Sequence, residues 1–155
     1  MNFLGYFILI TLLYTFSFSQ DEPQASPYDQ EESFVNIPSD LESRTSRFFN
    51  YILDSNVTAA YNDLFETSYI SNQTSKINAL INQTHRAIEL YGNLRGYEPV
   101  NVEHVSPSYI RIRYLGLHTR LPMRWIFTFY KSPENGWVIT NVKFDDYSEL
   151  YFTDE

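Results

Sequence analysis

The chain contains no cysteine among its 155 residues. Disulfide bonds, thiolate metal ligands, a cysteine nucleophile and a lipid anchor on cysteine are therefore excluded, and a folded domain must depend on its apolar core. Small secreted eukaryotic domains are more often cross-linked by disulfides. We therefore expect a bacterial protein that is secreted or periplasmic.

Basic residues are also few, with 11 Lys and Arg against 19 Asp and Glu and a formal net charge of -8. Without a basic stretch to contact phosphates, we expect no nucleic-acid partner. Residues 20–38 contain three prolines and lack apolar periodicity, which is typical of a flexible leader. This acidic leader carries no base and five acids, namely Asp21, Glu22, Asp29, Glu31 and Glu32.

One long hydrophobic run is present. Residues 1–16 are apolar and uncharged but short for a membrane span, and Ser17 and Ser19 place small residues at the -3 and -1 positions of a cleavage site. This pattern predicts a signal peptide over residues 1–19, with no stable membrane span after its removal. Because no Lys or Arg precedes the run, an uncleaved anchor is the alternative. The remainder, residues 39–155, fits a single domain. Glycosylation stays open at three sequons, Asn56, Asn72 and Asn82.

The first half of this domain carries apolar side chains at helical spacing. Ser39 and Glu42 match a capping box at the start of a helix, and Thr58 is placed to cap a second, short helix. A third helix is predicted over residues 74–91, with Gly92 at its C-terminal cap. Its apolar stripe consists of Ile77, Leu80, Ile81, Thr84, Ile88 and Tyr91.

The second half alternates apolar and polar residues, which indicates strands. Four strands are predicted, the first around Val100 and Val102 and the others over about residues 109–117, 123–131 and 137–144. In the last strand, the alternation assigns one face to Val138, Thr140, Val142 and Phe144. Helices followed by strands predict an α+β fold, with N-terminal helices packed on one face of a curved antiparallel sheet of about four strands.

Three segments carry a resemblance to a known superfamily. Residues 59–65 resemble the second helix of nuclear transport factor 2-like domains, which have a cystatin-like fold. Residues 90–92 resemble the end of their long helix, and residues 125–130 together with 137–139 resemble their final hairpin. The resemblance covers residues 39–152. It is closest to exported bacterial members of uncharacterised function, and it implies a cone-like sheet around the helices.

The resemblance also implies a candidate pocket inside the cone. Its apolar and aromatic lining would consist of Ile81, Tyr91, Tyr114, Trp125 and Phe127. Steroid isomerases of the superfamily use an Asp base and a Tyr donor in such a cone. Tyr91 and Tyr114 supply phenols here, but the strands carry no inward Asp. The alternative is a cone filled by its own aromatic rings.

Other chemistry is weakly indicated. His85 and Glu89 are four residues apart on the third helix, as either an acid–base pair or a surface pair. No metal-ligand spacing, phosphate loop or dinucleotide fingerprint is present, so we expect no metal and no cofactor. Four bases of the sheet form an anion site, or else a solvated convex face or an ion-pair network between strands, namely Arg111, Arg113, Arg124 and Lys143.

Two classes of function remain open. The first is an exported, non-catalytic binding or accessory module for a small apolar ligand or a protein partner, with a homodimer through the sheet as a further arrangement. The second is a small-molecule isomerase or dehydratase that uses the cone cavity. A titratable group inside the cone would discriminate them, because an enzyme needs one and a binding module does not.

The export signal leads to a first prediction. Mass spectrometry of the protein purified from an exporting host should find Gln20 as the first residue, because the small residues at the cleavage site permit removal of residues 1–19. An intact Met1 in the membrane fraction would instead indicate an uncleaved anchor.

Overall fold

A computed structural model describes residues 36–152. The predicted signal peptide and most of the acidic leader lie outside the described residues. Three helices come first, α1 (Ser39–Leu53), α2 (Val57–Phe65) and α3 (Thr74–Tyr91), with a short 3-10 helix, Tyr69–Asn72, before α3. Four strands follow, β1 (Leu94–Ser106), β2 (Tyr109–His118), β3 (Met123–Ser132) and β4 (Gly136–Asp145), and a second 3-10 helix spans Ser148–Tyr151.

The four strands form one curved antiparallel sheet in the order β1-β2-β3-β4. Each strand pairs with its neighbour in sequence, because short turns connect antiparallel strands directly. The α+β prediction is confirmed. The predicted bounds of the third helix are also confirmed, whereas β1 begins earlier than its valines suggested, at Leu94.

The first two helices begin differently from the prediction. Pro38, not Ser39, is the N-cap of α1, and its carbonyl accepts from the N–H groups of Leu41 and Glu42 at 2.9 and 3.0 Å. The predicted capping box is therefore wrong, because the helix already includes Ser39. At α2 the cap is Asn56, whose side chain accepts from the Ala59 N–H at 3.2 Å. Thr58, the predicted cap, lies inside this helix.

The β2–β3 hairpin covers the C-terminal end of α3. Arg120 donates from Nη1 to the carbonyls of Glu89 and Leu90 at 2.9 and 3.1 Å, and its own N–H donates to the Tyr91 carbonyl at 3.0 Å. Gly92 has a φ of 90°, and a Cβ there would overlap the Thr119 side chain. The predicted glycine cap is therefore confirmed in position, and it permits the hairpin to reach the last carbonyls of the helix.

A β-bulge in β4 changes which of its side chains face the helices. Phe129 lies opposite Ile139 and Thr128 opposite Asn141, so that Thr140 is the extra residue, and its hydroxyl donates to the Thr128 carbonyl at 3.0 Å. The strict alternation predicted for this strand is therefore wrong. Ile139, rather than Val138, is on the core side and is fully buried.

The core lies between α1 and the middle strands. Phe48 and Phe49 are fully buried, and the Phe48 ring centroid is 5.5 Å from that of Trp125 and 5.3 Å from that of Phe127. The Phe49 ring stacks on Tyr97 of β1 at 4.3 Å. The sequence predicts that Trp125 and Phe127 bury against the third helix; both are fully buried, and the helical rings packed against them are Phe48 and Phe49 of α1.

Truncation of Phe127 should test this core. The ring is fully buried among four other aromatic rings, so Phe127→Ala should lower the free energy of unfolding by about 3–5 kcal/mol. Tyr130→Ala, on the outer face of the same strand with 40% of its surface exposed, is the matched control. Chemical denaturation measures both, and a loss below about 1 kcal/mol at Phe127 would contradict the packing.

His118 makes stability depend on pH. Its Nδ1 lies 2.7 Å from the Gly92 carbonyl oxygen, and burial lowers the pKa of His118 below 6.5 against the opposing effect of that carbonyl. The unfolded chain therefore binds a proton more readily than the folded chain, and the free energy of unfolding should decrease as the pH falls below 6.5.

Replacing His118 separates this effect from that of the carboxylates. In denaturation series between about pH 7.5 and pH 5.5, His118→Asn should lose less stability than the parent, because its amide donates to the same carbonyl without titrating. His85→Asn, at an exposed histidine of α3, should retain the parental dependence. Equal pH dependences for the parent and His118→Asn would contradict the assignment.

Candidate functional site

The predicted pocket residues lie mostly in the packed interior. Trp125 and Phe127 are fully buried, Tyr114 is 2% exposed and Ile81 is 9% exposed. Phe48 and Phe49 of α1 occupy the space in front of the two β3 rings. The structure therefore brings these four predicted residues into the core rather than around an open cavity. Tyr91, the fifth, is partly buried and lies elsewhere, beside β4.

Two buried phenols hold the helices in place. Tyr114 of β2 bonds through its hydroxyl to Thr45 of α1 at 2.7 Å, and Tyr61 of α2 bonds to Thr84 of α3 at the same distance. Burial raises the pKa of Tyr114 to about 12 and also raises that of Tyr61, while the threonine bonds oppose the shift. Both phenols therefore stay protonated at neutral pH and act as structural hydrogen-bonding groups.

The outer edge of β4 is protected in its first half. The carbonyl of Trp137 accepts from Arg44 Nη1 at 2.6 Å, and the carbonyl of Ile139 accepts from the Ser68 hydroxyl at 2.7 Å. These two carbonyls therefore point away from β3. Because exposed edge groups invite pairing with another chain, the two side-chain contacts and the bulge that follows block this half of the edge.

The second half of the edge lacks such protection. In an antiparallel sheet, the N–H and C=O groups of successive residues point alternately toward the two neighbouring strands. Phe129 lies opposite Ile139, whose carbonyl points away from β3, so the backbone groups of Phe129 point toward β2. The same direction holds two and four residues earlier, at Phe127 and Trp125. Their partners in β4, Val142 and Phe144, consequently direct their N–H and C=O groups outward. No side chain or backbone group of residues 36–152 forms a hydrogen bond to this outward edge at either residue.

A groove separates this half of β4 from α3. It consists of two adjoining hollows of about 180 and 240 Å³, which share Gln83 of α3. Val142 and Phe144 line the strand side, and Leu80 and Ala87 line the helix side. We name this feature the α3–β4 groove. Its length and apolar walls suit an extended chain.

The groove has a basic wall. Lys76 and Arg86 of α3 line its two hollows, and neither forms an ion pair within the described part of the chain. At the end of the groove next to Phe144, the Tyr91 hydroxyl donates a hydrogen bond to Asp146 at 2.8 Å, and this bond raises the pKa of Tyr91. The neighbouring Asp145 is already neutralised by Arg124. Two free cations therefore face one carboxylate that already accepts a hydrogen bond.

The opposite edge of the sheet, that of β1, is interrupted at three places. The pairing of β1 with β2 has three register shifts, which lie between Leu94 and Gly96, between Pro99 and Asn101, and between His104 and Ser106. Bulges and an edge proline hinder pairing with another strand. The second half of β4, by contrast, has no register shift, and no side chain of the described residues bonds to its outward backbone groups at Val142 and Phe144.

The outer face of the sheet carries the predicted ion-pair network. Glu103 of β1 accepts from Arg113 at 2.6 Å and from Arg111 at 3.3 Å on the adjacent strand, and Arg124 donates two bonds to Asp145 at 2.8 and 3.0 Å. The ion-pair interpretation is confirmed for these three arginines, so this face is not an open anion site. The proposed homodimer through the sheet stays a prediction.

The predicted pair of His85 and Glu89 does not form. Both side chains are exposed, and no hydrogen bond or ion pair joins them. Residues 36–152 hold no group of three or more His, Asp and Glu side chains placed for a metal ion. Among the helices of the same residues, none combines the length and hydrophobicity needed to cross a bilayer.

Comparison with known proteins adds no relative. No family model, no curated protein and no solved structure matches this chain. The resemblance to nuclear transport factor 2-like domains therefore stays a prediction. The sequence did not reveal the α3–β4 groove, because its defining feature is an unpaired backbone edge and the sequence pattern contains no signal for one.

Proposed function

We propose that this domain is a non-catalytic module that binds an extended segment of a partner protein in the α3–β4 groove. The segment would pair with the free edge of β4 as an additional strand. One observation supports this proposal most directly: the first half of the edge is covered by Arg44 and Ser68, whereas the edge at Val142 and Phe144 faces the groove uncovered. Strand addition uses backbone bonds for affinity and side-chain pockets for specificity.

The composition of the walls suggests the chemistry of the partner. An extended segment places alternate side chains on opposite sides. Apolar side chains would contact Leu80, Val142 and Phe144, and acidic side chains would meet Lys76 and Arg86. We therefore propose a partner segment in which apolar and acidic residues alternate.

The packed interior also favours a binding module over an enzyme that uses the cone cavity. The concave face is occupied by Phe48 and Phe49, and the buried phenols Tyr61 and Tyr114 are bonded to threonines. A ligand in the predicted pocket would have to displace these rings. The groove requires no such rearrangement, because it is already accessible.

A synthetic peptide of alternating valine and glutamate, seven residues long, tests the proposal. Titrated into isotopically labelled protein, it should shift the amide resonances of Val142 and Phe144 and slow hydrogen exchange at Val142, because new backbone bonds form there. The same peptide with N-methyl groups on its pairing amides should bind at least roughly tenfold more weakly, since each lost hydrogen bond is worth about 0.5–1.5 kcal/mol.

Protein variants provide the controls. Val142→Pro removes the outward N–H and breaks no backbone bond to β3, because both backbone groups of Val142 point outward, so it should weaken binding of the parent peptide. Arg86→Gln should weaken binding by roughly two- to fivefold, whereas Arg47→Gln, the same substitution at an exposed arginine of α1, should not. Equal binding of the methylated and parent peptides, or resonance shifts away from β4, would contradict strand addition.

A further inference from the structure

A second cleft lies on the other side of α3 and is independent of the groove. It is formed where α1 ends, α2 begins and β1 begins, and its volume is about 320 Å³. That volume falls at the lower end of the range for small-molecule sites, roughly 300–1,000 Å³. Ile88 and His85 line the α3 side, while Leu94 and Arg95 line the β1 side.

The cleft separates apolar and polar groups. Its floor is aliphatic, with Ile52 of α1, Val57 of α2 and Leu94 of β1, and all three are buried. Its rim is polar, with Ser55, Asn93, His85 and Arg95. Within residues 36–152, the guanidinium of Arg95 forms neither a hydrogen bond nor an ion pair.

The backbone explains how the rim is formed. Ser55 has a φ of 61°, its N–H donates to Ile52 and the N–H of Asn56 donates to Tyr51 at 2.8 Å. These two bonds form a Schellman motif, which ends α1 and turns the chain sharply into α2. The turn places Ser55 on the rim opposite β1, so the polar groups converge from different elements.

We infer that this cleft binds a small carboxylic acid with an aliphatic body. The body would lie on Ile52, Val57 and Leu94, and the carboxylate would accept hydrogen bonds from Arg95 and from the polar rim. Arg95 is the rim side chain with a permanent positive charge, and its fork of donors matches the two oxygens of a carboxylate. A single such charge balances a monoanion, which favours a carboxylate over a doubly charged phosphate.

Hexanoate and its neutral counterpart, 1-hexanol, test the inference on the full chain. In a nuclear magnetic resonance titration, hexanoate should shift the amide resonances of Ser55, Ile88 and Leu94 with a common saturating curve. 1-Hexanol should bind at least roughly fivefold more weakly than hexanoate, because it lacks the charge that Arg95 recognises. Equal binding of both compounds, or shifts that do not saturate or map elsewhere, would overturn the inference.

Two variants with the same charge change provide the protein control. Arg95→Gln should weaken hexanoate binding by roughly fivefold, whereas Lys143→Gln, on the outer face of β4, should leave it unchanged. Both positions are exposed, so unchanged melting temperatures should accompany both substitutions. Unchanged hexanoate affinity in Arg95→Gln would overturn the assignment. None of these outcomes depends on peptide binding in the α3–β4 groove.

Discussion

The packing of Phe48 and Phe49 into the concave face of the sheet is the interaction on which the rest of this structure depends. The chain has no disulfide, so apolar burial must hold the helices against the strands. The two rings contact aromatic side chains of all three strands β1, β2 and β3 at centroid separations of 4.3 to 5.8 Å. Buried hydrogen bonds between Thr45 and Tyr114 and between Thr84 and Tyr61 then fix the positions of the helices.

This packing has a consequence for recognition. A concave face filled by side chains leaves the periphery of the domain as the place for binding, and the periphery is not uniform. The β1 edge is interrupted by bulges, and the first half of β4 is covered by Arg44 and Ser68. The second half of β4 remains regular because the bulge at Thr140 restores pairing beyond it. The α3–β4 groove and the cleft beside Arg95 flank opposite sides of α3.

The sequence predicted part of the site and failed on the rest for physical reasons. The resemblance implied that Trp125 and Phe127 face the interior, and both are fully buried, but neither a resemblance nor a strand pattern says whether another ring fills the space in front of them. Tyr91 and Tyr114 were grouped as two phenols of one pocket. The structure separates them, since Tyr114 bonds to Thr45 in the core and Tyr91 to Asp146 at the groove. The bulge at Thr140 reversed the predicted face of β4 before it, where Ile139 rather than Val138 faces the core, and left Val142 and Phe144 on one face as predicted. The sequence did not predict this change, because a bulge leaves the composition of a strand unchanged.

Local patterns by themselves determined the order of the elements, the bounds of α3, the glycine cap at Gly92 and the α+β class. These follow from periodicity and backbone preference, which neighbouring residues carry. Tertiary structure alone decided that Phe48 and Phe49 fill the concave face and that Val142 and Phe144 keep an uncovered edge. Both depend on groups that are distant in sequence, and burial and hydrogen-bond satisfaction settle such choices only when the whole chain has packed.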